Sequence, residues 1–273
     1  MTTATTSVMG SGGITLAAEI IGNPEAMPVL LAHGGGQTRR AWKRVTNDLA
    51  NAGFCAIAFD MRGHGDSAWS EAGAYEMLDF ATDLVAIATK MGRRPAVVGA
   101  SLGGFTSMLL AGELAPGAVG AVVLVDIVPN MDPMGAMRVH TFMNDKMHSG
   151  FGSLDEVADA VHQYNPHRPR PSDLAGLRTN LRERDGRWYW HWDPKFIDGT
   201  AALPPLEIVQ VDRMHAAVDA LAARQVPMLL VRGQMSDLVT EDRAEEFLVR
   251  YPQIGFVDVS GAGHMVAGDR NDH

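Results

Sequence analysis

The stretch Pro95-Ala96-Val97-Val98-Gly99-Ala100-Ser101-Leu102-Gly103-Gly104-Phe105-Thr106-Ser107-Met108-Leu109-Leu110-Ala111 decides how this chain is read. Its first four residues form an apolar run typical of a short buried strand. From Phe105 onward the residues have helical character. Between strand and helix lies Gly99-Ala100-Ser101-Leu102-Gly103, a G-x-S-x-G turn. In that context the turn is a nucleophile elbow, which holds its serine at a strained position with the hydroxyl projecting above a sheet. The turn is tight, and Gly99 and Gly103 remove the Cβ atoms that would clash. The helix behind Ser101 aims its N-terminal amides at the same spot.

Working outward, similar apolar runs recur at Val29-Leu30-Leu31-Ala32-His33, Phe54 to Asp60, Ala121 to Ile127, Pro227 to Gly233 and Phe256 to Val259. Residues 14–20 read as an early strand in a hairpin with 5–9. Helical spacing of apolar residues marks Trp42 to Ala52, Tyr75 to Met91 and Glu241 to Arg250. Strands that are apolar throughout are buried on both faces. With helices between them they predict an α/β fold with a mainly parallel sheet covered on both sides. Residues 131–215 break the rhythm with Pro-rich turns and the segment Trp188-Tyr189-Trp190-His191-Trp192-Asp193. The expectation is a helical cap, free of buried strands, inserted between core parts 1–130 and 216–273. Such a cap sits over the strand ends, where open α/β sheets bind ligands.

Composition narrows the function classes. A chain of 273 residues, 46% hydrophobic and 20% charged, fits one large globular α/β domain. Its net charge of −9 argues against nucleic acid, which calls for a basic face. No apolar stretch reaches the ~18–20 residues that span a bilayer. The N-terminal residues lack the basic and apolar regions of a signal peptide, so a cytoplasmic location is expected. Cys55 is the one cysteine; an internal disulfide is excluded, and it reads as a small core residue. No H-E-x-x-H or other tight ligand cluster occurs, so no metal is expected. Gly34-Gly35-Gly36 is not a dinucleotide fingerprint and there is no Walker A lysine, so no cofactor is expected.

A serine hydroxyl needs a base to take its proton. The candidate is His264, in the small-residue loop Ser260-Gly261-Ala262-Gly263-His264 beyond the last strand. The histidine needs an acid to fix its tautomer. Asp237 lies just beyond the preceding strand, and the order Ser…Asp…His matches that described for this elbow. Asp126, at the end of the Ala121–Ile127 run, is the rival acid. Two backbone amides should hold the oxyanion, those of Leu102 and Gly35. His33, Gly34 and Gly36 are candidates to border the substrate, with bracing of the glycine loop the favoured role for His33. Trp190, Trp192 and Met137 are candidate pocket residues, alongside Met131, Met134, Met143 and Met147; packing of the cap on the core is the alternative role for the tryptophans. Asp60, Arg62 and His64 read as braces beneath the site. Arg168 and Arg170 read as a solvated loop, or as a grip on a substrate carboxylate.

Taken together, His33-Gly34-Gly35-Gly36, Asp60-Met61-Arg62-Gly63-His64-Gly65-Asp66-Ser67, the elbow, the Asp237 loop and Gly263-His264 resemble the α/β-hydrolase superfamily, in its order and over nearly the whole chain. The resemblance is to a serine esterase-like member with a helical cap. It implies hydrolysis of a carboxylic ester or related small acyl compound through Ser101, His264 and Asp237, by way of an acyl-enzyme. Lactone, thioester, amide or carbon–carbon bond hydrolysis and perhydrolysis remain alternatives, as does a non-catalytic small-molecule receptor. Family members that use aspartate as nucleophile are set aside, because position 101 is serine. The family also carries a helix after its histidine; this chain ends at His273, and that helix is expected to be missing.

Overall fold

Alternate residues of the run Pro28–Ala32 face opposite layers: Leu30 and Ala32 enter one apolar cluster, Val29 and Leu31 another. A strand buried on both faces requires helices above and below it. The computed structural model describes residues 3–166, 169–172, 174–199, 208–264 and 266. Among the described residues there are ten strands: β1 (Thr3–Met9), β2 (Thr15–Ile21), β3 (Pro28–Ala32), β4 (Cys55–Phe59), β5 (Ala96–Ala100), β6 (Ala121–Val125), β7 (Leu181–Arg184), β8 (Arg187–Trp190), β9 (Met228–Gly233) and β10 (Gly255–Val259). Eight of them form one sheet in the order β1-β2-β4-β3-β5-β6-β9-β10. The β1–β2 hairpin pairs in antiparallel register and joins antiparallel to β4; from β4 to β10 every pairing is parallel.

The helices between these strands are α1 (Lys43–Asn51), α2 (Met77–Ala88), α3 (Leu102–Leu109) and α9 (Glu241–Arg250). A π turn, Leu110–Leu114, extends α3 and is closed by the Ala115 amide donating to the Leu110 carbonyl at 2.9 Å. Between β6 and β9 run α4 (Pro133–Asn144), α5 (Leu154–Tyr164), α6 (Leu174–Leu177), the β7–β8 hairpin, α7 (Pro194–Gly199) and α8 (Ile208–Ala223). Helix α4 starts where it does because Asp132 caps it, accepting from the Met134 amide at 2.8 Å, with Pro133 in the first turn.

The insertion is therefore not wholly helical: Leu181 to Arg184 pair with Arg187 to Trp190 as an antiparallel ribbon. Strand periodicity there is masked because only Leu181 and Trp190 are buried on the ribbon. The expected boundary at residue 215 falls inside α8, which packs along α3 and its π turn as a layer of the core. Contact is close: a Cβ on Gly112 would stand 2.2 Å from the Ala217 carbonyl oxygen. The expectation of a missing final helix concerns residues 267–273, which lie outside the described residues. Among the described residues, no helix is long and apolar enough to cross a membrane.

The joint between β5 and α3 is packed to the limit of the backbone. A Cβ on Gly103 would stand 2.2 Å from the Ala32 carbonyl oxygen, in the adjacent strand. Gly103→Ala is accordingly expected to lower stability by about 3 kcal/mol through forced separation of α3 from β3. Urea denaturation followed by circular dichroism measures this; a midpoint equal to that of the unmodified chain would refute it.

Candidate active site

Ser101 occupies a left-handed backbone position, φ 47° and ψ −112°. A non-glycine residue there is strained, and such strain persists only where the surroundings enforce it. The Ser101 amide donates to Val125 O of β6 at 3.1 Å, and the amides of Gly104 and Phe105 turn back onto the Ser101 carbonyl. The turn is thus held from both sides. Among the described residues, no acceptor meets the amide of Leu102, the first residue of α3.

His264 finds its carboxylate at Asp126, not at Asp237. Its Nδ1 donates to Asp126 Oδ2 at 2.7 Å. Asp126 is fully buried and collects two further donors, the Ser236 hydroxyl on Oδ2 at 2.6 Å and the Gly233 amide on Oδ1 at 2.9 Å. The reason lies in the backbone. Asp126 follows β6 directly in a left-handed conformation, φ 50°, and its amide donates to Val231 O of β9 at 2.7 Å. That bond directs the carboxylate across the end of β9. Asp237 lies in the loop after β9, and its side chain turns outward to Arg138 of α4 at 2.8 Å, 41% exposed. The sequence expectation for Asp237 is corrected accordingly. Ser236 was not singled out by sequence; an isolated serine in a loop carries no signal of its partner.

The glycine turn is fixed by three imidazoles. His33 donates from Nδ1 to Gly34 O at 2.7 Å and accepts the Met61 amide on Nε2 at 2.9 Å. His64 donates from Nδ1 to Arg62 O and accepts the Gly36 amide on Nε2 at 3.1 Å. His191, from the insertion, accepts the Gly65 amide on Nδ1 at 2.8 Å and donates from Nε2 to Gly36 O at 3.1 Å. Gly36 is therefore gripped on its amide by the core and on its carbonyl by the insertion. The Gly34 amide is taken by Gln37 Oε1 at 2.9 Å. Of the three glycine amides, that of Gly35 meets no acceptor among the described residues.

Below this turn, Asp60 and Arg62 act as the braces expected. Fully buried Asp60 receives the Arg39 amide and guanidinium and the Asp66 amide. Burial raises the Asp60 pKa above the ordinary carboxylate value, against the pull of Arg39. Arg62 makes a two-pronged ion pair with Asp83, both contacts 2.7 Å.

Ser101, Leu102, Gly35 and His264 border one cavity of about 670 Å³ between the core and the insertion. Gly34, Gly36, Trp192, Met131 and Met143 border it too. Trp192 and Met143 close on the glycine turn, with Trp192 stacked on Trp190 at 5.0 Å between centroids. The other pocket candidates lie elsewhere. Trp190 packs against Phe142 and Phe151, and its Nε1 donates to Asp145 O. Met137 is 61% exposed and Met134 72%, on the outer face of α4. Ala136, Val139, His140 and Met143 make the inner face. His33 is enclosed in the core and does not border the cavity. Arg168 lies outside the described residues, and Arg170 pairs with Asp155 and Asp159.

Burial, the largest cause in each case, pushes His33, His64 and His191 down to about 3 from the ordinary 6.5. These groups fold neutral and protonate more readily when unfolded. Their contribution to stability is thus fully present above about pH 6.5 and is lost as pH falls toward 3. At pH 5 the cost is on the order of 2 kcal/mol for each imidazole. Urea midpoints at pH 7.5, 6 and 5 are expected to fall steadily, and His191→Ala to reduce that slope by roughly a third. A midpoint independent of pH over this range would contradict the neutral assignment.

With this geometry in view, comparison with known proteins is specific. The profile described as the alpha/beta hydrolase fold matches residues 27–270. Esterase Rv0045c of Mycobacterium tuberculosis is 33% identical over 254 residues, covering 89% of this chain and 78% of the relative. A 3-hydroxybutyrate-oligomer hydrolase of Cupriavidus necator is 26% identical, covering 89% of this chain and 84% of the relative. The crystal structure of an alpha/beta hydrolase from Novosphingobium aromaticivorans superposes with a TM-score of 0.80 at 26% identity, over 97% of this chain and 93% of that one. The strained serine turn, the parallel sheet and these matches over most of its length make the chain a member of the α/β-hydrolase family.

Proposed function

We propose that this chain is a serine esterase in which Ser101 is the nucleophile, His264 the base and Asp126 the acid. One observation carries the reading. A strained serine, a histidine seated on a buried carboxylate, and the amides of Leu102 and Gly35, which meet no acceptor among the described residues, all border a single cavity. With its Nδ1 proton committed to Asp126, His264 presents Nε2 to accept the Ser101 proton. The Ser101 oxygen then attacks the ester carbonyl. The amides of Leu102 and Gly35 receive the developing oxyanion. His264 next returns the proton to the departing alcohol, and activates water to release the acid from Ser101.

The buried Asp126 carboxylate stabilises the imidazolium formed at each transfer. Ester substrates are favoured because a relative 33% identical to this chain is named an esterase, and another similar relative is named a 3-hydroxybutyrate-oligomer hydrolase. The ligand is a small molecule, since the cavity is walled by the insertion.

Turnover of p-nitrophenyl acetate and labelling by a fluorophosphonate test this reading. Ser101→Ala is expected to abolish labelling and to reduce turnover by roughly three orders of magnitude or more. Asp126→Asn is expected to lose roughly 10³- to 10⁴-fold in kcat. Asp237→Asn removes only an exposed ion pair and should stay within about threefold of the unmodified chain. The opposite ranking of the two aspartate variants would overturn the choice of acid. A folded, unmodified chain that neither labels nor turns over would favour the receptor reading.

A further inference from the structure

The serine esterase reading leaves open which esters fit, and the residues lining the cavity fall into two groups that chemistry distinguishes. The departing alcohol must lie where His264 can protonate it. Leu238 borders the cavity from the loop whose Ser236 holds Asp126, and Ala136 and Val139 of α4 line it as well. This group, on the Asp126–His264 side, is assigned to the alcohol. The acyl part then extends the other way, along α3.

Leu102, Phe105 and Leu109 all border the cavity, at the spacing that places them on one face of the helix. From Leu102 to Leu109 the helix rises about 10 Å, the length of an extended acyl chain of roughly eight carbons. Met77 of α2, Ile197 of α7 and Met214 of α8 add further apolar lining. Helix α8 is held there by its close packing on the π turn at Gly112. Beyond Leu109 the chemistry changes. Arg213 borders the cavity, and its Nη2 pairs with Glu113 of the π turn at 2.6 Å. Gln210 and exposed Glu76 are polar neighbours of the cavity as well. An apolar chain longer than the helix face meets these polar groups and water.

We propose that the α3 lining of the cavity is an acyl-chain site for unbranched fatty acyl esters of about eight carbons. The carbonyl sits at Ser101 and the terminal methyl between Leu109 and Met214. This rests on the serine esterase reading.

The experiment compares two substrate series on the purified chain: p-nitrophenyl esters from acetate to palmitate, and alkyl acetates from methyl to decyl. In the acyl series kcat/KM should peak near octanoate. Leu109→Phe shortens this site, and should lower the octanoate-to-acetate ratio at least tenfold while the octyl-to-methyl acetate ratio holds. Met77→Trp, at a half-buried position, should act in the same direction and serves if Leu109→Phe fails to fold. An unmodified chain that prefers acetate over octanoate overturns the proposal, as does a variant that changes the alcohol series instead. Absence of both fluorophosphonate labelling and acetate turnover would instead defeat the esterase reading, and this proposal with it.

Discussion

One buried carboxylate organises the chemical end of this molecule. Asp126 sits at zero exposure with the Ser236 hydroxyl, the Gly233 amide and the His264 ring all donating to it. A charge so enclosed is tolerated only when its acceptor sites are filled. The same bonds that solvate Asp126 draw three segments together: the end of β6, the turn after β9 and the loop after β10. The position of His264 is a by-product of that solvation. Charge and placement are one constraint, and the cavity is built around it.

The elbow was legible from sequence because its cause is local. Small residues flank Ser101, the strand before it is apolar, and the helix after it begins at once; no distant partner is needed to recognise the turn. The buried strands were legible for a similar reason, as were the braces at Asp60 and Arg62. The acid was not. Asp126 and Asp237 both follow strands at the same sheet edge, and both lie between Ser101 and His264, so chain order does not choose between them. What separates them is a left-handed backbone at Asp126 and a competing cation, Arg138, beside Asp237. Neither is visible without knowing how the insertion lies.

The pocket walls show a second limit. Counting methionines points to Met137, but the inner face of α4 is set by helical phase, with Ala136, Val139, His140 and Met143 at one-turn spacing. A phase analysis of that helix would have placed Met137 outside. His33 and His64 read as braces within their own motifs, but their meeting with His191 had no signature, since the three rings come from separate segments and meet only in space. Their shared environment also explains their chemistry: each ring is enclosed, each nitrogen is matched to a backbone group, and protonation would break one bond in each.

Because His191 reaches the Gly36 carbonyl from the insertion, core and insertion are not independent modules. Arg182, on the ribbon that precedes His191, donates to the carbonyl of Gly65, and the Asp193 amide donates to that of Gly63. A chimera that grafts a foreign insertion onto this scaffold would orphan those carbonyls unless equivalent donors travel with the transplant. Recombination between relatives is thus constrained at three backbone oxygens, whatever the ligand preferences of the parents.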